Sequence, residues 1–247
     1  MRKLFLMLTI NMLLFAGQIV ELAGDKDYPP YSYSENGIAK GVYVDIIKSI
    51  FSKIDGYDVK FNMMAWKKAQ TMVKKGKVVG FFPPYYSDER ATWVSFSKPI
   101  LNERTVIFAT KEFLKKKKKF PNDFYGTTVC LNRGFTPYVM GGVSFEKAVK
   151  DKKIILAETS KNKDCLNRIK RGLADFYIND QLIDISNFST IKRGLDVKSN
   201  AGHIGFTLKN KKYPFINDLH SKIDKVIIKM RKNGEIEKIL KTYKEGK

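Results

Sequence analysis

WKKAQTMVKKGKVVGFFPPYYSDERATWVSFS, residues 66 to 97, decides the fold. Trp66, Ala69 and Val73 mark one face of a short helix that stops at Gly76. Lys77 to Phe82 then reads as a buried strand, broken by Pro83-Pro84, which have no N–H to offer a ladder. Ser-Asp-Glu-Arg follows, with Arg90 in the first turn of a new helix. An arginine just past a strand end suits a small carboxylate, because its planar fork bonds both oxygens and keeps its charge.

Working outward, the same alternation of strand and helix continues. Gln18 to Ala23 is a strand ending at Gly24-Asp25, and Tyr28-Pro29-Pro30-Tyr31 forms an irregular aromatic loop. Val44, Ile47, Phe51 and Ile54 step at helical spacing, and Tyr57, Val59, Phe61 and Met63 alternate as in a strand. The order β-α-β-α-β predicts an α/β fold with a mostly parallel sheet. A second series follows: strands from Glu103 to Thr110, Thr127 to Leu131, Lys153 to Ala157, Ala174 to Asn179 and His203 to Lys209, with a helix from Asp164 to Arg171. Two amphipathic helices close the chain, one carrying Ile216, Leu219, Ile223, Ile227 and Met230, the other Ile236, Ile239, Leu240 and Tyr243. MVKKGKVVGFF at 72–82 is echoed by RIKRGLADFYI at 168–178, which suggests two lobes on one plan.

Arg2 and Lys3 precede an apolar run from Leu4 to Ala16, too short to span a bilayer, so residues 1–17 read as a cleaved signal peptide. The mature protein is expected to be periplasmic or secreted, and soluble. Cys130 and Cys165 can bridge after export, but the reading leans to two buried thiols. With two histidines and two cysteines, scattered, no metal site and no cofactor are expected. The net charge of +21 includes Arg2 and Lys3, and lysines spread over every helix face read as solvated surface rather than a nucleic-acid footprint. The one dense cluster is Lys115 to Lys119, in a loop.

Ligands of open α/β sheets bind beyond the carboxyl ends of the strands. That rule selects Asp25, Tyr28, Trp66, Tyr85, Arg90, Arg133, Phe135, Thr136 and Asp180. Each has a blander reading beside it. Tyr28 and Trp66 plug core as readily as they stack on a ligand. Arg90 has Asp88 and Glu89 as possible surface partners, Asp180 can cap a helix beginning at Gln181, and Arg133 can face solvent. No catalytic motif is present: no Gly-x-Ser-x-Gly, no phosphate loop and no His-Glu-x-x-His.

DKDYPPYSYSENGIAKGVYVDI, W-x-x-A-x-x-x-V-x-x-G-K-x-x-G, S-D-E-R-x-x-x-V-x-F-S-x-P, the Asn-Arg-Gly turn and G-x-x-D-x-x-I-N-D occur in this order. The chain thereby resembles the extracellular (periplasmic) solute-binding proteins of ABC importers, in the branch that carries polar amino acids. The resemblance implies a type II two-lobed clamshell, with lobe 1 from 18–108 plus 204–247 and lobe 2 from 109–203. It implies a monomer that binds a small amino-acid-like or carboxylate ligand and meets the importer's membrane subunits, with no nucleic-acid partner. It also implies that Arg90 holds a ligand carboxylate, Asp180 its ammonium, Tyr28 and Trp66 its side chain, Asp25 a basic side chain, and that Thr136 assists the carboxylate. The pattern departs where small hydroxyl residues are usual: Phe82, Pro83, Pro84, Tyr85 and Phe135 stand there instead. The alternatives are an enzyme on this scaffold, such as a cyclohexadienyl-type dehydratase, and a sensory or anionic-surface-binding module.

Overall fold

The computed structural model describes residues 17–245, so all but the last residue of the proposed signal peptide, 1–17, lies outside the described residues. Two five-stranded sheets, each flanked by helices, form two lobes. The first sheet runs Tyr57–Met64, Gln18–Asp25, Gly80–Phe82, Gly205–Thr207, Val94–Phe96. The second runs Ile154–Thr159, Thr127–Asn132, Phe176–Asp180, Leu101–Thr110, Ile191–Gly202. In both, the first three strands are parallel and the fourth pairs antiparallel with the third. The sheets are therefore mixed, with the parallel strands grouped at one side.

The internal echo has a structural basis. The helices Trp66–Lys74 and Asn162–Lys170 both end near a glycine in the left-handed region, Gly76 at φ 65° and Gly172 at φ 68°. Only glycine takes that turn without a Cβ clash, so each unit feeds the following strand at the same angle. The long closing helix, Ile216–Lys232, buries the five apolar residues its spacing selects, Ile216, Leu219, Ile223, Ile227 and Met230. They join Val44, Ile47 and Ile50 of the helix Val42–Phe51 in the first-lobe core.

The strand Leu101–Thr110 lies wholly in the second sheet, so the passage between sheets falls before residue 101, not at 108. The chain crosses between Phe96 and Leu101 and returns between Gly202 and Gly205. The crossings bond to each other through Ser97 N–H to the Ile204 carbonyl (2.9 Å) and Ile100 N–H to the Gly202 carbonyl (2.8 Å). His203 lies in the return crossing rather than in a strand, its Nδ1 2.7 Å from the Ser97 carbonyl. Pro29, Pro30 and Tyr31, in the segment read as an irregular loop, form a turn that joins Asp27–Tyr28 to Ser32–Glu35, and these two strands with Ile38–Lys40 make a small sheet that the sequence reading did not anticipate.

Cys130 and Cys165 are joined by a disulfide, contrary to the expectation of two thiols. The helix Asn162–Lys170 packs on the strand Thr127–Asn132 and brings the two Cα atoms to 5.6 Å, within bridging range. The bridge closes 35 residues of sequence separation. Removing it in a Cys130→Ser/Cys165→Ser variant is expected to cost about 2–4 kcal/mol and lower the melting temperature by about 5–15 °C. Scanning calorimetry of the variant checks this; an unchanged melting temperature rejects it.

Candidate functional site

The cleft is built from strand ends, and Arg90 is its central cation. Ser87 caps the short helix Asp88–Ala91 by accepting the Arg90 N–H (3.2 Å), which fixes the direction of the arginine side chain. Arg90 is 3% exposed. Its Nη1 donates to the Tyr85 carbonyl at 2.8 Å, and its guanidinium lies 5.9 Å from the Trp66 ring centroid. No carboxylate among the described residues lies within 4.0 Å of it; Glu89 takes the Trp93 indole N–H and Lys74 instead. Burial lowers the guanidinium's pKa to about 10. The surface ion-pair reading of Arg90 therefore fails.

Six of the nine residues selected from the sequence line one interlobe cavity of about 20 Å³: Asp25, Tyr28, Trp66, Tyr85, Arg90 and Phe135. Pro83, Val139 and Met140 complete the wall. That volume holds about one water, so the lobes are drawn together. Trp66 opens its helix beneath Arg90, stacks on Phe81 at 5.2 Å, and leaves its indole N–H buried without a partner. Asp25 ends its strand and accepts the Asp27 N–H at 3.0 Å. Burial pushes its carboxyl up to about 7. Phe135 enters from the second lobe and meets Tyr28 edge-on at 6.1 Å.

The other three stand elsewhere. Arg133 and Thr136 are exposed, in a wider outer chamber of about 660 Å³ that shares Phe135 with the inner cavity. Thr136 caps the helix Pro137–Lys150 by accepting the Val139 N–H at 3.3 Å. Asp180 is fully buried and does not reach the cavity wall. No helix begins at Gln181; Asp180 makes a local turn by accepting the Leu182 N–H at 2.8 Å, and its Oδ1 also accepts the Tyr31 hydroxyl.

Behind the cavity lies a polar network that sequence reasoning missed. Glu103, 1% exposed, sits just past the first crossing. Its Oε2 accepts the hydroxyls of Tyr28 (2.9 Å) and Tyr85 (2.6 Å), and its Oε1 that of Tyr43. Tyr28 and Tyr43 belong to the first lobe, Glu103 and Asp180 to the second, so these bonds tie the lobes together. Burial first, and the neighbouring Asp180 second, push Glu103 up to about 8. Burial likewise raises Asp180 to about 6. Two carboxyls deprived of water and close to each other hold a proton more readily than either would alone. The sequence signal for Glu103 was a charged residue in step with the buried Leu101 and Thr105, at an inward position of its strand.

The profile of the bacterial extracellular solute-binding proteins, family 3, matches residues 20–246. The chain belongs to this family. A similar relative is the probable amino-acid-binding protein YxeM of Bacillus subtilis (strain 168), 24% identical over 220 residues, covering 87% of this chain and 79% of the relative. Among solved structures, one from work on glutathione import via GshT and the cystine ABC importer TcyBC of Streptococcus mutans superposes with a TM-score of 0.77 at 23% identity, over 92% of this chain and 95% of the other. The P235GK mutant of ArgBP from T. maritima gives 0.75 at 21%, over 92% and 95%. The two-lobed fold of the family is thus the fold of this chain. Among the described residues, no helix is long and apolar enough to cross a membrane.

Proposed function

We propose that this protein is an exported carrier that captures a small amino-acid-like or other carboxylate solute between its lobes and delivers it to the membrane subunits of an ABC importer. One observation carries the reading: a buried guanidinium, with no carboxylate of the described residues within 4.0 Å, faces an interlobe cavity. A buried charge without a partner is costly, and a ligand carboxylate supplies that partner. The amino-acid-binding name of the Bacillus subtilis relative supports the solute class. Entry of even a small carboxylate requires the lobes to part, and the paired crossings at 97–101 and 202–204 are the natural hinge, since through them the backbone passes from one sheet to the other.

The dehydratase reading gains one observation. Asp25 lies on the cavity wall with its carboxyl raised to about 7, the range a general acid needs at neutral pH. A thermal-shift screen against amino acids and related carboxylic acids, followed by analysis of the same mixtures for products, separates the two. Stabilisation without turnover is expected. Product formation that is lost in Asp25→Asn replaces the carrier by the enzyme. No stabilisation by any carboxylate removes both readings.

A further inference from the structure

The cavity wall presents donors to a ligand and, Asp25 aside, no charged acceptor. The Arg90 guanidinium has no carboxylate partner, and the Trp66 indole N–H is buried and unpartnered. Apart from Asp25, the remaining wall is aromatic or apolar: Tyr28, Pro83, Tyr85, Phe135, Val139 and Met140. The acids of the cleft are turned away or engaged. Glu103 holds three tyrosine hydroxyls. Asp180 is sealed behind the Tyr31 hydroxyl, and its other oxygen, Oδ2, is buried inside the protein without a partner. Asp25 alone reaches the wall, and one of its oxygens already accepts the Asp27 N–H.

We propose that the cleft selects carboxylates that carry no α-ammonium group, with an aliphatic or aromatic body, and that Tyr31 enforces this by occupying Asp180. The inference rests on the carboxylate grip of Arg90 proposed above and specifies its ligand. An ammonium entering this cavity loses its water and meets no carboxylate of the second lobe on the cavity wall, which disfavours it. The ring faces of Tyr28 and Trp66 offset only part of that loss. A carboxylate on an apolar stem leaves no group unpaired: its oxygens meet Arg90 and the indole N–H, and its stem meets the aromatic wall.

Matched pairs test this by titration calorimetry on the wild-type protein: 3-phenylpropanoate against L-phenylalanine, and 4-methylpentanoate against L-leucine. The deaminated member is expected to bind at least tenfold tighter in one pair or both. Equal or tighter binding of the amino acid, still lost in Arg90→Ala, overturns the inference and leaves the carrier function standing. No binding of either member of either pair overturns the inference, and Arg90-dependent stabilisation by other carboxylates decides whether the carrier function survives it. Tyr31→Phe uncovers Asp180, and the preference is expected to fall at least fivefold towards the amino acid. An unchanged ratio in a folded Tyr31→Phe protein overturns the role of Tyr31.

Discussion

Arg90→Ala is expected to weaken carboxylate binding by between roughly 30-fold and several thousand-fold, the range for removing one partner of a buried, hydrogen-bonded charge pair. The ligand-induced rise in melting temperature should vanish with it. Arg90→Lys should lose about tenfold or more, because an ammonium cannot reproduce the two parallel bonds of the fork. The unliganded protein should respond differently. Its guanidinium is 3% exposed and has no carboxylate partner, so folding bears the cost of dehydrating it. Arg90→Met keeps the packing on Trp66 without the charge, and its unliganded melting temperature should not fall below the wild-type value by more than about 3 °C. Calorimetry with and without ligand reads both effects. Wild-type affinity in Arg90→Ala would end the carboxylate-grip account.

Glu103→Gln is expected to flatten the dependence of stability on pH. Glu103 titrates near 4.5 when unfolded and is pushed up to about 8 in the folded protein. Between those values the folded state binds more protons than the unfolded state, so stability falls as pH rises. The contribution is fully present below about 4.5 and is lost as pH climbs through about 8. Asp25, raised to about 7, and Asp180, raised to about 6, act in the same direction. The wild-type melting temperature should therefore decline between pH 5 and pH 8.5, and Glu103→Gln should decline less. Glutamine cannot ionise but can still accept a tyrosine hydroxyl. Glu103→Ala removes the acceptor of three buried hydroxyls and should cost about 3–5 kcal/mol at acid to neutral pH, less as pH climbs through about 8. A wild-type profile that rises towards pH 8.5, or an identical slope in Glu103→Gln, would contradict this placement of the protons.

Much of this was legible in the sequence, and the rest was hidden for definable reasons. Tyr57–Met64 alternates and Ile216–Lys232 repeats at helical spacing, so local pattern and burial agree. The strand Ile191–Gly202 escaped notice because it is largely exposed and its pairing shifts register twice, between Arg193 and Asp196 and between Asp196 and Lys198. The helix Pro137–Lys150, which supplies Val139 and Met140 to the cavity, is masked by Gly141-Gly142 and kinks at Gly142, φ 82°. Arg90, Trp66 and Tyr28 followed from one rule about strand ends. The Tyr31–Asp180 and Tyr43–Glu103 bonds did not, because they join residues 149 and 60 positions apart. The disulfide is of the same kind: its connection is set by how a helix lies on a strand, not by local spacing.

The passage of the chain between sheets also fixes a timetable for synthesis. Residues 101–202 form the second sheet as one uninterrupted run, whereas Gly205–Thr207 must slot between Gly80–Phe82 and Val94–Phe96. The second sheet is therefore complete within one run of chain, while the first keeps a vacant lane until residues 205–207 are present. The half bearing Arg90 closes only when the last fifth of the polypeptide arrives, so a chain cut short near residue 200 carries the arginine but lacks the strand that seals its sheet between Gly80–Phe82 and Val94–Phe96.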